Sequence, residues 1–109
     1  MSQIVAGDDL TIPQTLKKNN VVFDMSLATE VKSRLLEASD KKPLTAEVTQ
    51  ANSGGADWAN SLVEHVFASA TTSGVTYEGA VLLETQVILS GKKQTWFSSG
   101  LEMVQGTID

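Results

Sequence analysis

Gly79-Ala80-Val81-Leu82-Leu83-Glu84-Thr85-Gln86-Val87-Ile88-Leu89 is a long, mostly apolar run, closed by Ser90-Gly91-Lys92 and followed by Lys93-Gln94-Thr95-Trp96-Phe97. β-branched and aromatic side chains favour extended backbone, and a Ser-Gly step between two such runs is hairpin chemistry. The first run is apolar at neighbouring as well as alternate positions, so it belongs inside a sheet with cover on more than one side near its centre. Ser98-Ser99-Gly100 then reads as a turn. Leu101-Glu102-Met103-Val104-Gln105-Gly106-Thr107-Ile108 reads as a last strand, with Leu101, Met103 and Gln105 on one face and Glu102 and Val104 on the other.

The same grammar runs upstream. Leu10-Thr11-Ile12-Pro13 alternates as a strand would, and Pro13, which lacks an amide hydrogen, suits a strand end or a sheet edge. Lys17-Lys18-Asn19-Asn20 reads as a turn into the compact apolar run Val21-Val22-Phe23-Asp24-Met25. Ala28 to Ala38 fits a helix through Val31, Leu35 and Leu36, and a strand through Val31, Ser33, Leu35 and Glu37. The residues beyond it favour the strand: Asp40-Lys41-Lys42-Pro43 is a turn, and Leu44 to Thr49 is a β-friendly return run, so a meander is the simpler reading. Leu62 to Phe67 is read as a strand, and Ser69 to Gly74 as a loop too short to link domains.

Several short strands, with turn signals at roughly 8-to-12-residue intervals, predict an all-β fold, an immunoglobulin-like antiparallel β-sandwich of about seven strands. The chain has no cysteine, so the disulfide pin of antibody domains is missing, along with thiolate metal sites and cysteine nucleophiles. A length of 109 residues predicts a single domain over 1–109, with residues 1–9, poor in packing signals, expected as a flexible arm that orders on a neighbour. At this size roughly 60 to 70% of the unfolded chain's surface can be buried. With three Phe, two Trp and one Tyr as large fillers, stability is expected to lean on partner subunits.

The net charge of −5 argues against nucleic acid or anionic lipid as a partner over the surface as a whole. No Lys/Arg run exceeds two residues; the pairs Lys17-Lys18, Lys41-Lys42 and Lys92-Lys93 sit beside turn residues. The N-terminus lacks a basic segment followed by an apolar one, and no apolar stretch approaches the ~20 residues of a membrane span. The expected location is the cytosol, unless a particle carries the protein out.

No catalytic, metal or cofactor constellation emerges. His65 is the only histidine, and a lone His beside Glu64 in an apolar run is ordinarily a packed residue. Asp8, Asp9 and Asp57 lack calcium-loop spacing. Glu30, Lys32 and Arg34, with Glu37 and Lys41, read as exposed polar faces. Asn52-Ser53-Gly54-Gly55 is the strongest breaker, but Ala56-Asp57-Trp58 comes next where a phosphate loop would place Lys-Ser/Thr. The candidates for an interface are the aromatics Trp58, Tyr77, Trp96 and Phe97, which could also form a sugar-stacking platform; core packing is the ordinary reading of Trp96 and Trp58, and Trp58, after the Gly-Gly loop, is the stronger interface candidate of those two.

The order Gly7-Asp8-Asp9-Leu10-Thr11-Ile12, then Ala28-Thr29-Glu30-Val31-Lys32-Ser33-Arg34-Leu35, Tyr77-Glu78-Gly79 leading into Leu83-Glu84-Thr85-Gln86-Val87, and the closing Leu101 to Ile108 segment, resembles small tailed-bacteriophage virion β-sandwich domains. The likeness is to the N-terminal domain of phage upper-baseplate proteins and covers nearly the whole chain through strand-and-turn patterns. It implies a non-enzymatic structural component of the virion, assembled in the host cytoplasm, acting in a baseplate, collar or fibre attachment. Its partners would be other virion proteins and further copies in a homo-oligomer or ring. Upper-baseplate proteins continue into a longer stalk where this sequence stops at Asp109, so an adaptor, a mount or a capsid decoration protein is expected. The alternative is a stand-alone carbohydrate-binding module.

Overall fold

Leu89 stands opposite Lys92 across a two-residue turn in which Ser90 and Gly91 have φ of 51° and 77°. Positive φ at both central residues is the type I′ requirement, whose twist matches that of the flanking strands. The structure, a computed structural model, describes residues 2–105. Among these it has nine strands: β1 (Ser2–Ala6), β2 (Leu10–Thr15), β3 (Lys17–Lys18), β4 (Val21–Val22), β5 (Ala28–Glu37), β6 (Val48–Gln50), β7 (Leu62–Phe67), β8 (Gly79–Leu89) and β9 (Lys92–Gln105). A 3₁₀ turn at Trp58–Asn60 and a single helical turn, α1 (Ser69–Thr72), complete the set.

The protein is all-β. A five-stranded sheet has the order β1-β9-β8-β5-β6, a ribbon pairs β2 with β7, and a small hairpin pairs β3 with β4. The central strands β5 and β8 match over their length, Val31 opposite Val87, Ser33 opposite Thr85 and Leu35 opposite Leu83. Side chains alternate across a strand, so these six share one face, and all are buried. The β2–β7 ribbon lies over that face. Its Leu10, Ile12 and Phe67 join one apolar cluster with Ile4, Leu35, Val81, Leu83 and Met103. Val63 and Leu16, just past the end of β2, join a second with Met25, Val31 and Val87. One seam between the layers is stitched by Gln50, whose side-chain amide donates to the Val66 carbonyl (3.3 Å) and accepts from the Val66 N–H (2.9 Å), as a strand backbone would.

The structure departs from the sequence-based expectation at five places. Residues 1–9 are expected as an arm, but Ser2–Ala6 pairs in parallel with Leu101–Gln105 of its own chain, and Ile4 is only 2% exposed. Burial of one isoleucine plus five paired positions outweighs the weak local signal, and it makes the sheet mixed rather than purely antiparallel. The supposed turn at Ser98-Ser99-Gly100 is a β-bulge: Val81 faces Leu101 and Leu83 faces Ser98, so β9 carries one extra residue there. Gly100, at φ 92°, supplies the backbone freedom, and the strand bends without ending. Positions 106–108 of the expected final strand lie outside the described residues. The return run from Leu44 touches β5 at an isolated Leu36–Pro43 bridge and becomes regular strand only from Val48. Ser69–Thr72 is a helical turn rather than loop, and Lys17–Lys18 is strand, with Asn19-Asn20 (φ 55° and 64°) alone forming the turn.

Because Ile4 is the buried anchor of β1, Ile4→Ala should cost about 2 to 4 kcal/mol. Urea unfolding checks this; an unchanged midpoint would mean that β1 carries no share of the core.

Candidate functional site

At mid-height five strands place a polar residue toward the interior: Gln14 on β2, Ser33 on β5, His65 on β7, Thr85 on β8 and Ser98 on β9. Together they form a belt between the two apolar clusters. The Gln14 carboxamide oxygen has two neighbours, His65 Nε2 at 2.7 Å and Thr85 Oγ1 at 3.0 Å. An amide oxygen only accepts, so Nε2 carries the ring proton and Nδ1 is left to accept from the Ser33 hydroxyl at 2.5 Å. Gln14 Nε2 donates onward to Ser98 Oγ.

His65 is therefore the neutral Nε2–H tautomer, with both nitrogens bonded and no exposed surface. Burial lowers its pKa from 6.5 to about 4, because the low-dielectric interior disfavours the charged ring. The Ser33–His65 contact has the form of a nucleophile and its base. Here both residues are enclosed between the layers, Ser33 being 1% exposed, and each hydrogen bond is already used to join one strand to another. The belt fastens the ribbon to the sheet.

A second polar contact lies on the opposite face. Arg34 stands across from Glu84 in the β5–β8 register and donates to it from Nε at 2.8 Å, with a second guanidinium nitrogen at 3.4 Å; Gln86 Nε2 also donates, at 2.7 Å. Glu84 is 6% exposed and Arg34 half-buried, so Arg34 belongs to a partly buried ion pair rather than to the solvated charge face expected with Glu30 and Lys32. The sequence signal for this pair is Glu84 itself, a single carboxylate inside an apolar strand.

The four aromatic candidates occupy separate places. Trp96 packs against the Leu16–Val87 cluster, edge-on to Phe23 at 4.9 Å, and its indole N–H donates to the Lys17 carbonyl at 3.0 Å. Trp58 packs against the same cluster, its Nε1 buried without a partner among the described residues. Tyr77 donates from its hydroxyl to the Ala80 carbonyl at 2.9 Å, at the far end of β8. Phe97 points the other way from Trp96, onto the outer face, where the Lys41 ammonium sits 4.5 Å from its ring centre. The four do not line one surface. The other candidates are local: Asp9 accepts the Ser69 N–H and Asp57 accepts from Asn60, and no group of three metal-ligating side chains converges among the described residues.

The feature missed from sequence is one end of the molecule. Five large apolar side chains are exposed among the described residues, and three of them, Val21, Val22 and Leu27, lie at the end formed by the β8–β9 turn. Register places them there: Ala28 faces Leu89, Lys18 faces Val21, and Lys18 Nζ donates to Gln94 on β9. A groove between Phe23, Asp24, Leu27 and Leu89 runs beside them. As a compact apolar run Val21 and Val22 look like core material, but a two-residue strand tied only to β3 has no layer to bury against. Comparison with protein-family models, with curated proteins and with solved structures gives no significant match.

The buried histidine makes stability depend on pH. The folded pKa of His65 lies below its unfolded value, so the unfolded chain binds the extra proton between pH 6.5 and 4. The contribution is complete above pH 6.5 and is lost as pH falls toward 4, by up to about 3 kcal/mol; His65→Gln should flatten that slope in thermal melts taken across this range. The orphaned indole N–H of Trp58 costs on the order of 1 kcal/mol, so Trp58→Phe should keep or raise the melting temperature, whereas Trp58→Ala should lower stability by about 2 kcal/mol or more.

Proposed function

We propose that this chain is a non-enzymatic structural component of a tailed-phage virion, an adaptor that mounts baseplate, collar or fibre elements through protein–protein contacts. The observation that carries the reading is the apolar end, with Val21 66%, Val22 50% and Leu27 74% exposed beside the Phe23–Leu89 groove. Clustered apolar side chains in water mark contact surfaces, since a lone domain gains nothing by leaving them wet. The enclosed Ser33–His65 pair supports a structural use of the one histidine. The ribbon lying across a five-stranded sheet supports an immunoglobulin-like architecture, and the sequence resemblance supplies the setting. Partners would be other virion proteins and further copies, without cofactor, nucleic acid or membrane. The chain would be assembled in the host cytoplasm and retained in the particle.

Quantitative mass spectrometry of purified particles from the phage that encodes this chain tests the reading: the chain should be present at a fixed copy number after a high-salt wash. A chain abundant in the infected-cell lysate but missing from particles would overturn it. In a complementation experiment, Val21→Asp with Leu27→Asp should fold normally yet lower the chain's copies per particle by about tenfold or more, the scale expected when central apolar contacts are lost.

A further inference from the structure

The strands run along a molecule 47 Å long and only 28 and 23 Å across. β9, with 14 residues at roughly 3.3 Å each, spans nearly all of that length. The two tips are therefore separate surfaces, and their charges differ in sign.

At the apolar tip stand Lys17 and Lys18 on β3 and Lys92 and Lys93 at the start of β9, half of the chain's eight basic residues. Asp24, in the loop after β4 at the same tip, accepts the Ser26 N–H at 2.9 Å. The other tip is built from the β1–β2 connection, the loop after β5 and the approach to β8. It carries Asp8, Asp9, Glu37, Asp40 and Glu78. Of the two lysines in that loop, Lys41 is drawn back over the Phe97 ring, leaving Lys42 alone among the acids. This tip also has a receiving shape: a groove lined by Glu37, Lys42, Pro43, Leu44, Val75 and Tyr77, with apolar side chains beside one carboxylate and one ammonium, so the tip's acidity comes from Asp8, Asp9, Asp40 and Glu78 around the groove.

We infer that the occupant of the basic apolar tip is the acidic tip of a second copy of this chain, so that copies join head to tail, the Val21–Val22 hairpin of one entering the Pro43–Tyr77 groove of the next. The inference rests on the reading of the chain as an assembly unit and adds the partner and the polarity. Charge decides between the two ways of covering the apolar tip. A symmetric tip-to-tip dimer would bring eight lysines together, whereas the head-to-tail contact sets lysines against carboxylates. The net charge of −5 does not prevent this. At about 0.1 M salt the Debye length is roughly 10 Å, far shorter than the molecule, so an approaching copy senses the tip in front of it. A head-to-tail contact leaves one tip of each kind open, and assembly proceeds to a ring if the rotation closes or to a filament if it does not.

Light scattering across a concentration series at about 0.1 M and about 1 M salt tests this on the intact chain. The average mass should climb several-fold with concentration at low salt and return to that of one chain at high salt. Lys92→Glu with Lys93→Glu, and separately Asp8→Lys with Glu78→Lys, alter exposed side chains; each double variant alone should remain monomeric. Mixed in equal amounts, the two should regain association, with both present in equal number. A wild type that stays monomeric throughout overturns the inference, as does a dimer that strengthens with salt, which is the tip-to-tip arrangement, or a mixture that fails to associate. Any of these results, with the chain still found in purified particles, would leave the virion role standing and remove only self-assembly.

Discussion

Everything else in the molecule is hung on the interior hydrogen-bond belt that runs from buried Ser33 and His65 through half-buried Gln14 to Thr85 and Ser98. Apolar contacts between the ribbon and the sheet are non-directional, and the Phe67 and Val63 ends of β7 would pack acceptably in more than one register. The belt admits one. A two-residue slip of β7 keeps the same face inward but sets His65 against leucine or valine, and each group left without a partner costs about 1 to 3 kcal/mol. Five strands contribute one polar side chain apiece, so satisfying the belt fixes the relative height of all five at once. That is a specificity device, of the kind in which buried polarity selects one arrangement at some expense in stability.

The rest of the architecture derives from that constraint. With the ribbon locked at mid-height, the two apolar clusters are closed compartments above and below it. The lower-numbered terminus then completes the cluster around Phe67 by adding Ile4 from a parallel strand, which sets residues 2–6 beside 101–105. The other cluster closes differently, with Trp58 and Trp96 capping it from loop and strand and the β3–β4 hairpin resting on Trp96 through the Lys17 carbonyl. Two cluster ends closed by different means give two tips of different character. One is wrapped by loops rich in carboxylates; the other is capped by a short hairpin that has apolar residues left over.

How much of this the sequence discloses depends on the range of the forces involved. The β8–β9 hairpin is legible because its signal is local: two β-friendly runs and a Ser-Gly step within the nineteen residues from Gly79 to Phe97. β5 and β7 are legible for the same reason, and the interior placement of Trp96 accords with its alternation with Phe97. β1 is not, since its pairing partner is about 99 residues away and nothing in residues 2–6 announces a parallel neighbour. Nor is the bulge at Gly100, because a Ser-Ser-Gly step is equally good for a turn and for a kink in a strand that continues. The belt is visible only in hindsight, as a polar residue interrupting each apolar strand. One such residue reads as noise, and the meaning lies in their coincidence at one height.

The apolar tip shows the same limit from the side of function. Sequence reasoning looks to aromatics for an interface and reads Val21 and Val22 only as part of a compact apolar run. Topology decides otherwise: the tryptophans are consumed in closing a cluster, and the two valines are stranded on a two-residue hairpin outside either layer. Taken one at a time the lysine pairs are solvated turn residues. Their significance comes from the fold bringing Lys17-Lys18 and Lys92-Lys93, 75 residues apart in the chain, to the same tip as those valines, with the Lys18–Gln94 hydrogen bond joining the two elements. A fold that uses its two tryptophans to close a small core leaves contact chemistry at its ends to aliphatic residues and charge, and the length of the strands keeps the two ends far enough apart to act independently.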